Sequence, residues 1–252
     1  MVAICFDGDG TLYQSQTTAV ALWRRFCAER HVVVSSDEVA AVLERVSAGF
    51  GERRARLREG KTSAPAHAGG QEERFWADYN AAVLAVWGLR ADAAEVRGWL
   101  NQAALDAAAP YADTVPALRV LAGRGVVMGV YSNRPVGIRS TITRLGLDPY
   151  FVWVRSAGDT GLAKPDPAAF ALMAAGLGVA PGALAYVGDS LDEDAHGAML
   201  SGCIPVLIDR TGKREAASGW LVIRSLGELA AVLGEQPDAS ARSEPPPLAL
   251  RT

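Results

Sequence analysis

The sequence predicts an α/β chain: a doubly wound parallel sheet with an α-helical block inserted after its first strand. Three observations predict it. Val2-Ala3-Ile4-Cys5-Phe6 is short, apolar and rich in β-formers, and runs straight into Asp7-Gly8-Asp9-Gly10. From residue 114 onwards strand-like and helix-like segments alternate, the mark of βαβ units. Between these stretches about a hundred residues carry helical periodicity and no strand character, too many for an ordinary βα loop.

The first strand, residues 2–6, delivers two aspartates into a turn that Gly8 and Gly10 let close tightly. In residues 14–30, Val20, Leu22, Trp23, Phe26 and Cys27 recur at helical spacing. Ser35-Ser36-Asp37-Glu38 reads as the N-terminal cap of a helix running to Phe50. A basic piece, residues 52–59, precedes a break over residues 61–70, which hold Pro65 and two glycines. Helices resume over 71–87 and 91–107 and stop before Pro110. Next come a helix over 115–122, a strand over 126–131 ending in Ser132-Asn133, a helix over 136–145 and a strand over 151–154. Lys164-Pro165-Asp166-Pro167 opens a helix to Leu177, with proline suited to the first turn. A strand over 184–187 runs into Gly188-Asp189-Ser190, followed by a helix over 194–200 and a strand over 204–208. Residues 220–223 suggest an edge strand and 226–233 a last helix, and residues 236–252, rich in Pro, Ser and charge, suggest a flexible tail.

Half of the 252 residues are apolar, enough for a sizeable core plus a smaller domain. A net charge of -3 gives no reason to expect nucleic acid or an anionic membrane as partner. Cys5, Cys27 and Cys203 are odd in number and widely spaced, which argues against disulfides or a zinc site and fits a reducing cytoplasm. The chain enters its first strand too soon for a signal peptide, and no apolar run approaches the ~20 residues of a membrane span. The expectation is a soluble cytoplasmic protein.

Polar residues stand at the carboxyl ends of three predicted strands: Asp7 and Asp9, Ser132 and Asn133, then Asp189. In an open α/β sheet these ends share one edge, where ligands bind, and Lys164 starts a helix on that edge. Two close carboxylates repel and call for a cation or a shared proton. Carboxylates with a hydroxyl, an amide and a lysine suit phosphoryl transfer onto a carboxylate, and hard oxygen donors suit Mg²⁺. The plainer readings are an Asx-type turn after the strand, a helix cap at Ser132-Asn133 and a surface lysine at Lys164.

Four segments in order, FDGDGTL, YSN, AKPDP and VGDSLDEDAHGA, closely resemble the haloacid dehalogenase superfamily. The resemblance implies a Rossmann-like core over residues 1–12 and 110–235, with residues 13–109 as a helical cap. It implies Asp7 as the nucleophile that forms an aspartyl-phosphate and Asp9 as general acid/base. Mg²⁺ would bind Asp7, Asp189 and the backbone carbonyl of Asp9, with Asp194 aligned to the family's second acid. Thr11 and Ser132 would orient Asp7 and the phosphate, Lys164 would pair with both, and Ser132, Asn133 and Lys164 would contact substrate.

Gly8 departs from the family pattern, where a bulkier apolar residue is common. Asp192 and Glu193 read as solvated acids of a helix's first turn. His31 and His67 read as surface residues and His196 as partly exposed. The tryptophans Trp23, Trp76, Trp87 and Trp99 read as core of the helical block ahead of a platform for substrate. Arg54, Arg58 and Lys61 fall on one helix face, either a solvated stripe or a clamp for a second anionic group of the substrate.

Within the resemblance, Asp9 favours phosphate transfer, because the dehalogenases usually carry an aromatic residue there. Lys61 does not sit in the surroundings of a Schiff-base lysine. The implied function is a Mg²⁺-dependent phosphatase of a small phosphorylated metabolite. The alternatives are a phosphosugar mutase or a catalytically silent binding or regulatory module on the same fold. The substrate and the oligomeric state are not specified by the sequence.

Overall fold

The computed structural model describes residues 2–61, 68–135, 137–213 and 219–232. Strand β1 (Ala3–Phe6) is buried at every position and sits in the middle of the sheet. It pairs in parallel with β4 (Val127–Ser132) on one side and β6 (Leu184–Gly188) on the other. Beyond β4 lies β5 (Trp153–Ser156), and beyond β6 lie β7 (Ile204–Ile208) and β8 (Leu221–Ile223), all parallel. The chain runs outward from β1 to β4 and β5, then returns to β6 on the opposite side. This reversal opens a crevice at the carboxyl ends of β1, β4 and β6.

Alternation along β1 feeds two cores. Ile4 and Phe6 face a cluster with α6 (Thr114–Gly123), α7 (Ile138–Arg144) and α11 (Leu226–Val232). Ala3 and Cys5 face the other side, where α9 (Pro167–Gly176) contributes Phe170 and Met173. Cys5, Cys27 and Cys203 are buried free thiols. No helix among the described residues is long and apolar enough to cross a membrane.

The inserted block consists of α1 (Ala19–Ala28), α2 (Ser36–Gly49), α3 (Gly51–Lys61), α4 (Ala68–Val86) and α5 (Ala93–Asp106). The reciprocal Ser35–Glu38 capping box starts α2, as the sequence signature predicts. Trp23 is buried in the block's own apolar core with Phe26, Val39 and Val83, and Trp87 and Trp99 pack against it.

The structure corrects the expectation that strand character stops after Leu12. Tyr13–Ser15 (β2) and Ala108–Pro110 (β3) pair antiparallel and form the two-stranded ribbon on which the block is carried. Three-residue strands carry too little periodicity to be read locally; their pairing partner lies almost a hundred residues away. The first helix starts at Ala19 rather than 14, after an N-cap at Thr18. The basic piece is the helix α3, and α4 begins at Ala68, inside the expected break. A short helix, α8 (Ala157–Thr160), follows β5 unannounced. Residues 62–67, with His67, and the tail 236–252 lie outside the described residues, as do the side chains of Arg58 and Lys61.

Candidate active site

The loop after β1 closes on itself: Leu12 N–H and Tyr13 N–H both donate to Gly8 O, at 2.9 and 3.2 Å. Gly10 has φ of +72°, and a Cβ there would overlap the Asp189 carboxylate. At Gly188 a Cβ would overlap Asp194. Glycines at these two points let the carboxylates of β1 and β6 approach one another. Asp7, Asp189 and Asp194 thus place carboxylate oxygens within 4.8 Å of one another.

Lys164 sits between two of them. Its Nζ donates to Asp7 Oδ1 at 2.8 Å and Asp194 Oδ1 at 2.7 Å, and its residue is only 4% exposed. The surface-lysine reading is overturned. Asn133 grips the backbone of Lys164 from both sides. Its Oδ1 accepts from Lys164 N–H at 2.8 Å, and its Nδ2 donates to Lys164 O at 2.9 Å. The Asn133 amide therefore holds the lysine loop in place. It does not cap the next helix, whose N-cap is Gly137.

Burial pushes the Asp7 carboxyl up to about 8, against the pull of Lys164 and helped by repulsion from Asp194 and Asp189. Asp189 is pushed up to about 6 by desolvation and by the Asp194 charge. Lys164 is opposed by burial, yet Asp194 and Asp7 outweigh this and hold its pKa above the ordinary lysine value. Three acids share one ammonium, so the cluster is short of positive charge once all three are ionised. Its donors are all hard oxygens, so a divalent cation such as Mg²⁺ fits.

Asp9 faces elsewhere. Arg134 Nε and Nη2 grip its Oδ2 and Oδ1 at 2.5 and 2.6 Å, and the Tyr13 hydroxyl donates to Oδ2 at 3.2 Å. Burial opposes the Arg134 charge, but its hydrogen bonds to Asp9 and the Asp9 charge raise its pKa. Burial and the Asp9 charge push the Tyr13 hydroxyl up, so it remains a neutral donor. Gly8 makes room for this tyrosine: a Cβ there would lie 2.7 Å from the Tyr13 hydroxyl oxygen and 3.0 Å from Ile138 Cδ1.

Asp7, Asp9, Ser132, Asn133, Lys164, Asp189 and Asp194 all line one cavity of about 400 Å³. Ser132 is buried, and its Oγ accepts from Arg134 N–H at 3.4 Å. The Thr11 hydroxyl is buried with no partner among the described residues, so it does not bond Asp7 here. Glu193 corrects another expectation. It lines the cavity and accepts from Asn133 Nδ2 at 2.9 Å, so it is not merely a solvated first-turn acid. The turn carrying it, Leu191–His196, is π-helical and capped by Ser190, whose side chain accepts from Glu193 N–H. Arg54 is exposed on α3 and lines neither this cavity nor the one inside the helical block.

Sequence reasoning missed Arg134, Tyr13 and Arg210. Arg134 directly follows Ser132-Asn133 at a strand end, a position that marks it as a site residue. Arg210 stands just past the carboxyl end of β7, on the same edge. Its guanidinium donates to the carbonyls of Thr11 at 2.7 Å and Gly10 at 3.3 Å, pairs with Asp113 at 3.0 Å, and stacks on Tyr111 at 3.6 Å. It thereby ties down the far end of the aspartate loop.

A sequence model of the haloacid dehalogenase-like hydrolases matches residues 1–202. The chain belongs to this family. It is 38% identical over 102 residues to a glyceraldehyde 3-phosphate phosphatase of Methanopyrus kandleri, covering 40% of this chain and 44% of that one. It is 35% identical over 88 residues to a phosphoserine phosphatase of Thermus thermophilus, covering 34% of this chain and 35% of that one. The chain thus spans less than half the length of these curated relatives. Among solved structures, a HAD phosphatase from Thermococcus onnurineus superposes with a TM-score of 0.58 at 28% identity, covering 93% of this chain and 98% of that one. The HAD-hydrolase YfnB of Bacillus subtilis shares the fold, with a TM-score of 0.69 at 19% identity and coverage of 92% and 98%.

Proposed function

We propose that the protein is a Mg²⁺-dependent phosphatase of small-molecule phosphate monoesters, with Asp7 as nucleophile and residues 13–109 as a cap over the site. The observation that carries this reading is the buried Lys164 ammonium bridging Asp7 and Asp194, while Asp9 is held apart by Arg134. That arrangement separates a nucleophile from an acid/base, as two-step phosphoryl transfer requires. The names of the two curated relatives, both phosphatases of small phosphorylated molecules, support the substrate class.

In the first step an Asp7 oxygen attacks phosphorus and the bond to the leaving oxygen breaks. Asp9 gives that oxygen its proton. In the second step water attacks the phosphoryl group on Asp7, Asp9 takes a proton from it, and free Asp7 and inorganic phosphate result. Both Asp9 oxygens are engaged by Arg134, so proton donation requires at least one to be released. Ser132 and Lys164 stand where they can hold phosphate oxygens. Asp7, Asp189 and Asp194 would hold Mg²⁺, together with the Asp9 backbone carbonyl. When bound, the ion neutralises phosphate and carboxylate charge.

The test is release of p-nitrophenol from p-nitrophenyl phosphate with Mg²⁺, with an excess of chelator, and by Asp7→Asn. Turnover should vanish with chelator and in the variant, and mass spectrometry of rapidly quenched wild type should place phosphate on Asp7. Full turnover by Asp7→Asn, or by wild type in excess chelator, would overturn the reading.

A further inference from the structure

The helical block contains a second cavity of about 550 Å³, larger than the catalytic one and walled by Leu22, Trp23, Leu43, Trp76 and Tyr79. The two cavities share part of a wall. Arg97 and Asn101, one turn apart on α5, line both of them. Three polar side chains along this path have no hydrogen bond or ion pair among the described residues: Arg97, Asn101 and Asn80. Asn80 is 97% buried, since its residue is 3% exposed, and it lines the cap cavity. Among the described residues only the Thr11 hydroxyl is fully buried without a partner, so the Asn80 amide keeps surface open to the cavity it lines. An amide left open to an apolar cavity beside an active site is a specificity element awaiting a ligand group.

We propose that the leaving group of the substrate extends from the catalytic pocket past Arg97 and Asn101 into this cavity. The substrate class is a phosphate monoester of an apolar alcohol, aromatic or branched, that carries one hydrogen-bonding group for Asn80. The volume falls within the ~300–1,000 Å³ of pockets that enclose drug-sized ligands, so a three-carbon polar leaving group would leave it largely empty. The aromatic walls supply stacking area for a ring. Arg97 and Asn101 meet the oxygens at the phosphate-bearing end, where guanidinium binds bidentately. The substrate determinants therefore lie on α4 and α5, away from the exposed Arg54 on α3.

This inference rests on the phosphatase reading, and the test separates the two. The kcat/KM of wild type, with Mg²⁺, is compared for 2-naphthylethyl phosphate and glycerol 3-phosphate. The naphthyl ester should be preferred by at least about 100-fold, since each methylene in an apolar pocket is worth ~10-fold or more. Ala104→Phe, which puts a ring into the cavity from α5, should lower that ratio at least tenfold through KM. Asn80→Leu, close in size, should abolish the preference for a 6-hydroxynaphthyl ester over the plain one. Binding of 2-naphthylethanol, followed by quenching of Trp23 and Trp76 fluorescence, needs no turnover. If no phosphate ester is hydrolysed but the alcohol binds wild type and not Ala104→Phe, the phosphatase reading fails and the cavity assignment stands. If esters are hydrolysed without naphthyl preference, or the alcohol quenches neither protein, the cavity assignment is wrong.

Discussion

Replacing Lys164 by methionine removes the one ammonium among three acids while keeping most of the buried volume. In the wild type its Nζ, on a side chain 2% exposed, bridges Asp7 and Asp194 at 2.8 and 2.7 Å. Breaking a buried ion pair in this way costs about 3–5 kcal/mol. The variant has an alternative to a bare buried charge: a further carboxyl can take up a proton. From the ordinary value of 3.8, that costs about 1.4 kcal/mol per pH unit, so ~4 kcal/mol at pH 7 but only ~2 kcal/mol at pH 5. The destabilisation should therefore shrink by about 2–3 kcal/mol between pH 7 and pH 5. Urea unfolding of both proteins at the two pH values in excess chelator measures this directly. Added Mg²⁺ should narrow the gap at pH 7, because the cation replaces the missing charge. A penalty that is the same at both pH values, or below about 1 kcal/mol at pH 7, would refute the electrostatic account of Lys164.

Three further outcomes follow from the geometry. Asp7 has its pKa raised from 3.8 to about 8, so the native state holds an extra proton across that window. Its contribution to stability is present below the unfolded value and is lost as pH rises through about 8, so metal-free wild type should weaken from pH 4 to 8 and Mg²⁺ should oppose the decline, as read by thermal melting. Gly8→Ala should destabilise by about 1–3 kcal/mol because its Cβ meets the Tyr13 hydroxyl, and Tyr13→Phe in the same chain should recover part of the loss. Arg210→Ala should cost about 1.5–3 kcal/mol in unfolding free energy through lost charged hydrogen bonds to the Gly10 and Thr11 carbonyls, and should lower kcat as the aspartate loop loosens. Unchanged melting and kcat in that variant would show that the loop holds itself.

The sequence by itself determined the parts of this protein that depend on neighbours along the chain. Apolar strands at 2–6 and 184–187, the Ser35–Glu38 capping box and the Asp-Gly turn are written in adjacent residues, so period and cap chemistry suffice to read them. The rule that parallel strands end on a common edge then carried Asp7, Ser132, Lys164 and Asp189 into one pocket. Only the tertiary structure decided what each side chain faces. Asp9 meets Arg134 across 125 positions, and Arg210 meets Thr11 across 199. The ribbon of β2 and β3 exists because two three-residue segments pair, since neither has enough periodicity to declare itself. The cavity inside the helical block depends on how α1, α2, α4 and α5 pack together, which leaves Asn80 buried and Arg97 shared between two cavities. Local free energies favour elements; partners are chosen by the register and packing that bring distant residues within a few ångströms of one another.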